Sequence, residues 1–175
     1  MLQMIKSLAC RSMLKIFFRK FTVAHTTGSI HPMRARKSLG QNFLMHARIA
    51  ERIAMVAGFA SDAVVFEIGP GTGMLTRELL KRAGKVIALE ADYELFKKLQ
   101  DDFANEIAQE RLKLIHGDIR NYPLNHAIAG NSGYQVVANI PYYLTGEIFR
   151  MFLESENQPS SMTLLVQKEV AERVI

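Results

Sequence analysis

The stretch "AVVFEIGPGTGMLTRELLKRAG", residues 63–84, decides the fold. It opens with a short apolar run of strand length, passes through Gly69, Gly71 and Gly73, and continues as an amphipathic helical pattern closed by Gly84. "KVIALEA", residues 85–91, follows as a second strand, so the segment reads as a strand–helix–strand unit. The glycines permit positive backbone dihedrals and close approach of a ligand where the loop enters the helix. A structural turn explains such a cluster as readily as a cofactor does. The spacing is more informative: a dinucleotide fold shows G-x-G-x-x-G, whereas the third glycine comes one residue early, and the G-K-[ST] of a Walker-type phosphate loop is absent.

The alternation extends in both directions. Upstream, "ARIAERIAMVAG" (47–58) spaces Ile49, Ile53, Ala54 and Val56 for a helix and ends at Gly58, a natural C-cap. Downstream come a helix over 93–103, a strand in "LKLIHGD", a loop with Pro123, a strand in "QVVANI", a helix over 146–153, a strand in "MTLLVQ" and the start of a last helix. Strands alternating with helices imply an α/β fold, a mostly parallel sheet with helices on both faces. The 175 residues fit one domain that buries ~70% of its unfolded surface. A composition of 49% hydrophobic and 22% charged residues excludes a disordered chain. The single Cys10 excludes an intrachain disulfide framework and a multi-cysteine metal site, and favours a reducing compartment.

In such sheets ligands bind beyond the carboxyl ends of the strands. The first strand ends at the glycine loop. The second ends at Glu90, twenty-one residues after Gly69, where a carboxylate is placed to accept from both hydroxyls of a ribose. The third ends at Asp118 in "HGDI", positioned either to accept from an adenine amino group or to serve as a turn aspartate. Together these ends describe a nucleoside-bearing cofactor without a demanding phosphate site, which favours S-adenosylmethionine over NAD.

The fourth strand ends in "VVANIPYYLTG", residues 136–146. An adenine amino nitrogen is a poor nucleophile, because its lone pair is delocalised into the ring. If the side-chain oxygen of Asn139 and the backbone carbonyl of Ile140 accept its two N–H groups, the nitrogen can pyramidalise and aim its lone pair at a sulfonium methyl. Pro141 disfavours helical geometry at Ile140 and holds that carbonyl in an extended presentation. Tyr142 would stack on the unstacked target base. Tyr143 has no assigned role beyond packing. The scheme requires no metal and no cysteine nucleophile.

"NIPY" at 139–142 resembles the N-[LIP]-P-[YF] motif of methyltransferases that modify the exocyclic amino group of adenine. With "RARKSLGQNFL" (34–44), "VFEIGPGTGMLT", "VIALEAD", "HGDI" and "LLVQKEVAERVI", residues 34–175 resemble the ribosomal RNA adenine dimethyltransferase family, the KsgA type related to the Erm methyltransferases. The resemblance implies a Rossmann-like class I S-adenosylmethionine-dependent methyltransferase fold. It assigns cofactor contacts to Asn42, Leu44, Gly69, Glu90, Asp118 and Asn139, with Gln41 and Gly71 as neighbours. Glu67 would orient the loop or face the methionine ammonium. It further implies dimethylation of adjacent adenines near the 3′ end of small-subunit rRNA, by a monomer that binds rRNA and no membrane. An Erm-like large-subunit enzyme (macrolide resistance) and a noncatalytic mitochondrial transcription or ribosome-assembly factor on the same fold remain alternatives. The family's sheet has seven strands, the last two an antiparallel pair, followed by a helical domain. The expectation from Ile175 is a sheet lacking those two strands, with impaired activity.

Charge is unevenly distributed. Residues 1–50 hold nine Lys/Arg and no acid, while residues 51–175 hold 13 basic and 17 acidic residues, so a +9 arm precedes a body of 13 − 17 = −4. A basic arm suits a polyanion, since each neutralised phosphate releases counterions. Residues 1–32 are read as an extension outside the domain over 33–175: a targeting peptide, a solvated tail, or the product of a start upstream of Met33. The compartment is correspondingly a bacterial cytoplasm, with a mitochondrion as the alternative.

Overall fold

Short runs of Val, Ile and Leu, too short for helices and bounded by glycine or polar turns, pair side by side into one parallel sheet. The computed structural model describes residues 21–24 and 47–165, with only the backbone of Phe21–Ala24 and of Tyr142. Strand β1 (Phe21–Ala24) is followed by α1 (Ala47–Ala57), β2 (Val64–Ile68), α2 (Met74–Leu80), β3 (Lys85–Glu90), α3 (Tyr93–Asp102) and α4 (Ala104–Ala108). Then come β4 (Leu112–His116), α5 (Leu124–Ala127), β5 (Gln135–Asn139), a 3-10 turn (Tyr142–Leu144), α6 (Thr145–Glu154) and β6 (Ser161–Leu165). The order across the sheet is β1-β6-β5-β2-β3-β4, and every pairing among the described residues is parallel.

The chain steps outward from β2 to β3 and β4, then returns to lay β5 on the other side of β2. The crevice at that reversal is where open α/β sheets take their ligands. Register levels the strand ends: Ile68 lies opposite both Leu89 and Ala138, and Glu90 lies opposite His116. The glycine loop, Glu90, the Asp118 turn and Asn139 therefore emerge along one edge. Two cores hold this arrangement. Phe66, Ile87, Val136 and Leu164 pack with α5 and α6 on one face, and Val65, Val86 and Val137 pack with α1, α2 and Leu99 of α3 on the other.

Two features were not legible in the pattern. Phe21–Ala24, assigned above to an extension outside the domain, pairs in register with Met162–Leu165 of β6. The edge of β6, the last strand in the sheet expected above, is thus covered by a parallel strand from the N-terminal region, which satisfies backbone groups an edge strand would expose. The loop with Pro123 contains the short helix α5, whose Leu124 and Ala127 are buried. The expected last helix, after β6, lies outside the described residues, as does the rest of residues 1–32.

Local turns set the strand ends. Asp92 caps α3 by accepting from the backbone N–H groups of Glu94 and Leu95 at 2.9 and 3.1 Å, so the helix begins directly behind Glu90. At the mouth of α2, Gly73 has φ +78°, and a Cβ there would come within 2.6 Å of the Phe103 ring and 2.8 Å of Leu99. Both neighbours are buried in the core and have little room to yield. Gly69 has φ +64° but nothing within 4 Å of a Cβ.

Gly73→Ala should therefore destabilise the fold by roughly 2–4 kcal/mol, combining left-handed strain with overpacking. Gly69→Ala should cost only the backbone term, about 1–2 kcal/mol. Urea unfolding of the two variants beside the parent checks the difference; equal losses would contradict the packing argument.

Candidate functional site

One cleft opens at the order reversal of the sheet. The glycine loop from Gly69 to Thr72 forms one wall, and Asn139 at the end of β5, with Ile140 and Pro141 after it, forms the other. Glu90 and Asp118 lie along it, each followed by an apolar residue, Ala91 and Ile119, that also lines the cleft. Such neighbours supply the apolar surfaces a flat ring needs beside polar groups that orient it. Of the residues read from the sequence, the structure brings together Gly69, Gly71, Glu90, Asp118, Asn139, Ile140 and Pro141. Gln41, Asn42 and Leu44 lie outside the described residues, and so does the side chain of Tyr142. Tyr143 lines the cleft and is half exposed.

Glu90 is 4% exposed. Its Oε2 accepts from the backbone N–H of Gly71 at 2.9 Å, and its Oε1 accepts from that of Asp92 at 2.8 Å. A carboxylate has about four acceptor positions, so each oxygen retains capacity for a hydroxyl donor. The same two bonds tie the glycine loop to the turn that starts α3.

Glu67 differs from Glu90 in having no such support. It sits at the end of β2, is fully buried and borders the cleft, and neither of its carboxylate oxygens has a hydrogen-bond partner among the described residues. Burial pushes its pKa up to about 8; Thr76 moderates the rise from nearby, and the charge of Glu90 adds to it. The Thr76 hydroxyl is near enough to offer Glu67 a hydrogen bond, but the geometry does not complete one. A buried acceptor of this kind is satisfied by a cationic donor entering from the cleft.

Asp118 is held differently again. Its Oδ1 accepts from the backbone N–H and from Nε of Arg120, both at 3.0 Å, and its Oδ2 accepts from Nε at 3.1 Å and from Nη2. The Arg120 hydrogen bond is the main reason the Asp118 carboxyl lies below the usual carboxylate range. Arg120 escaped sequence reading: a basic residue two positions past a turn aspartate is unremarkable until the guanidinium is seen folded back. Three carboxyl groups, of which burial keeps Glu67 largely protonated at neutral pH, and one cation, Arg120, make up the acidic and basic side chains of the lining among the described residues. That balance discourages a pyrophosphate and suits a ligand carrying positive charge.

A family model described as "Ribosomal RNA adenine dimethylase" matches residues 33–175. Among curated proteins, the chain is 41% identical over 145 residues to a protein named ribosomal RNA small subunit methyltransferase A from Dehalococcoides mccartyi, covering 83% of this chain and 49% of that protein. It is also 41% identical over 148 residues to the protein of the same name from Moorella thermoacetica, covering 80% and 50%. The chain thus spans about half the length of these relatives. Among solved structures it resembles a dimethyladenosine transferase from Plasmodium falciparum, with TM-score 0.64, 28% identity, and coverage of 75% of this chain and 46% of that one. It also resembles the 23S rRNA methyltransferase ErmE, with TM-score 0.57, 31% identity, and coverage of 67% and 45%. The fold is that of the Rossmann-like methyltransferases.

The Glu67 shift carries a linkage consequence. Its folded pKa lies above its ordinary value of 4.5, so its contribution to stability is full below about 4.5 and is lost as pH rises towards 8. Glu67→Gln should remove this loss. The stability of the variant minus that of the parent should grow by up to about 1.4 kcal/mol per pH unit through that window, then level off. Denaturant titrations from pH 5 to 9 measure the difference; a flat one would show that Glu67 is not buried without support.

Proposed function

Because the chain belongs to the ribosomal RNA adenine dimethylase family, we propose that it binds S-adenosylmethionine in this cleft and dimethylates the exocyclic amino group of adjacent adenines near the 3′ end of small-subunit rRNA. The observation that carries the cofactor reading is the buried, unpartnered carboxylate of Glu67 beside Glu90 and Asp118. These groups fit a ligand with an ammonium, a sulfonium, a ribose and an adenine, and no phosphate.

When bound, S-adenosylmethionine supplies an electrophilic methyl group on a positively charged sulfur. Glu67 faces the ammonium, exchanging its proton for a charged donor. Glu90 accepts from the ribose hydroxyls with the acceptor positions left by Gly71 and Asp92. Asp118 accepts from the adenine amino group, with Ala91 and Ile119 flanking the ring. At the far wall, the Asn139 side-chain oxygen and the Ile140 carbonyl accept the two N–H groups of the target adenine, and Pro141 restricts the backbone that presents that carbonyl. Positioning of the nucleophile supplies much of the rate. Tyr142 and Tyr143 follow at the start of the 3-10 turn, where an aromatic ring would stack on the flipped base. Gln41, Asn42 and Leu44 are proposed to close the cofactor site from the N-terminal side.

The small-subunit assignment rests on the 41% identity to proteins named for that subunit. A large-subunit target is the second reading, favoured by the 31% identity to ErmE. A bacterial cytoplasm fits the bacterial sources of the matched relatives, and the chain is proposed to act as a monomer. No helix among the described residues is long and apolar enough to cross a membrane.

Calorimetric titration of S-adenosylmethionine should show one site, weakened about tenfold by Asp118→Asn or Glu90→Gln, as expected for loss of one charge-assisted hydrogen bond. Incubation with 30S and 50S precursors and labelled cofactor should place label on adjacent adenines of the small-subunit rRNA, and Asn139→Ala should lower transfer by about 10²-fold. Label in 50S rRNA would transfer the assignment to the large subunit. A folded protein that binds no cofactor would overturn the enzyme reading in favour of an assembly factor.

A further inference from the structure

Arg120 stands where the cofactor and the nucleic acid would meet. Its guanidinium lines the cleft and forks onto both oxygens of Asp118, the carboxylate that the cofactor reading assigns to an adenine amino group. The two donors compete for the same acceptors. An incoming adenine amino group can claim Asp118 fully only if the fork loosens. The backbone N–H of Arg120, 3.0 Å from Oδ1, would keep the carboxylate oriented when the side chain leaves.

The fork is able to leave. The side chains of Arg120 and Asp118 are 44% and 28% exposed, so the pair is solvated and weakly held. Glu147 of α6 and Tyr143 lie close enough to act on the guanidinium electrostatically. An arginine displaced from Asp118 would remain in the cleft that Asn139, Ile140 and Pro141 also line. The lining is otherwise acidic, with Glu67, Glu90 and Asp118, and among the described lining residues only Arg120 offers a phosphate a cation. A planar guanidinium is suited to bidentate phosphate contact.

We propose that Arg120 is a transferable phosphate ligand: stored on Asp118 in the empty site, released when a cofactor adenine takes that carboxylate, and then engaged with a phosphate beside the target adenine of the RNA. The inference rests on the cofactor reading above and adds regulation to it. Cofactor binding would prime the site for RNA, and by reciprocity RNA would tighten the cofactor by the same factor. Arg120 is here a positioning residue for the substrate backbone.

The test uses the 175-residue chain, S-adenosylhomocysteine as a nonreactive cofactor probe, and a fluorescent stem–loop RNA with two adjacent adenines in its loop. In the parent, saturating S-adenosylhomocysteine should tighten RNA binding about 5- to 10-fold. It should also steepen the log K against log salt slope by nearly 1, the signature of one added phosphate contact. Arg120→Met should bind S-adenosylhomocysteine as tightly as the parent or a few-fold tighter, yet lose both effects. Asp118→Asn, which removes the storage site, should bind RNA tightly without any cofactor. RNA affinity indifferent to the cofactor in the parent, or tightening that survives in Arg120→Met, would overturn the inference while leaving the cofactor site standing. Absence of S-adenosylhomocysteine binding in the parent would instead overturn the cofactor reading, and the inference with it.

Discussion

The carboxylate of Glu90 joins the two loops on which the cleft depends. One oxygen holds the glycine loop through Gly71, and the other holds the start of α3 through Asp92. Parallel register alone would bring the ends of β2 and β3 level, but it would leave the loops beyond them with unsatisfied amides. By accepting one N–H from each, Glu90 turns two strand ends into a single rigid floor. It does so while 4% exposed, where an unpaired charge would be costly and a hydrogen-bonded one is tolerated. The Asp92 cap extends the same chain of bonds into the helix, so Glu90 is fixed from both its strand and its neighbour.

Much of this was legible because it is local or periodic. Apolar runs of strand length bounded by glycine gave β2 to β6, and helical spacing gave α1, α3 and α6, with ends within a few residues. The site was legible for a related reason: in a parallel sheet, residues at the carboxyl ends of successive strands must share an edge. Gly69, Glu90, Asp118 and Asn139 could therefore be grouped before their distances were known. What escaped depends on contacts between segments remote in sequence. The pairing of Phe21–Ala24 with β6 spans well over a hundred residues and has no local signature. Helix α5 is one turn long and is held by burial of Leu124 and Ala127, which no periodicity over four residues can announce.

The electrostatic state of the cleft was the least legible feature. Glu67, Glu90 and Asp118 are equivalent letters in a sequence, each near a strand end. Folding gives each a different environment: Glu67 is buried without a partner, Glu90 is satisfied by two amides, and Asp118 is covered by an arginine. These differences arise from the depth of each position along the crevice and from what happens to reach it. They also allow three carboxylates to occupy one cleft without mutual repulsion breaking the fold.

The arrangement divides recognition between parts that are already in place and parts that must move. Glu90 is fixed by bonds that a ribose would leave intact, so it contributes little reorganisation on binding. On the proposed cofactor reading, Glu67 would exchange a proton for a cation, and Asp118 would exchange an arginine for an adenine donor. Each exchange ties occupancy by the nucleoside to a change elsewhere: a proton passed to solvent in one case, a guanidinium made available at the mouth in the other. A cleft lined this way responds to the whole ligand more strongly than to its fragments, because adenine and ammonium each resolve a separate constraint. That property would suit the proposed order, in which the cofactor fills the site before a polyanionic substrate closes over it.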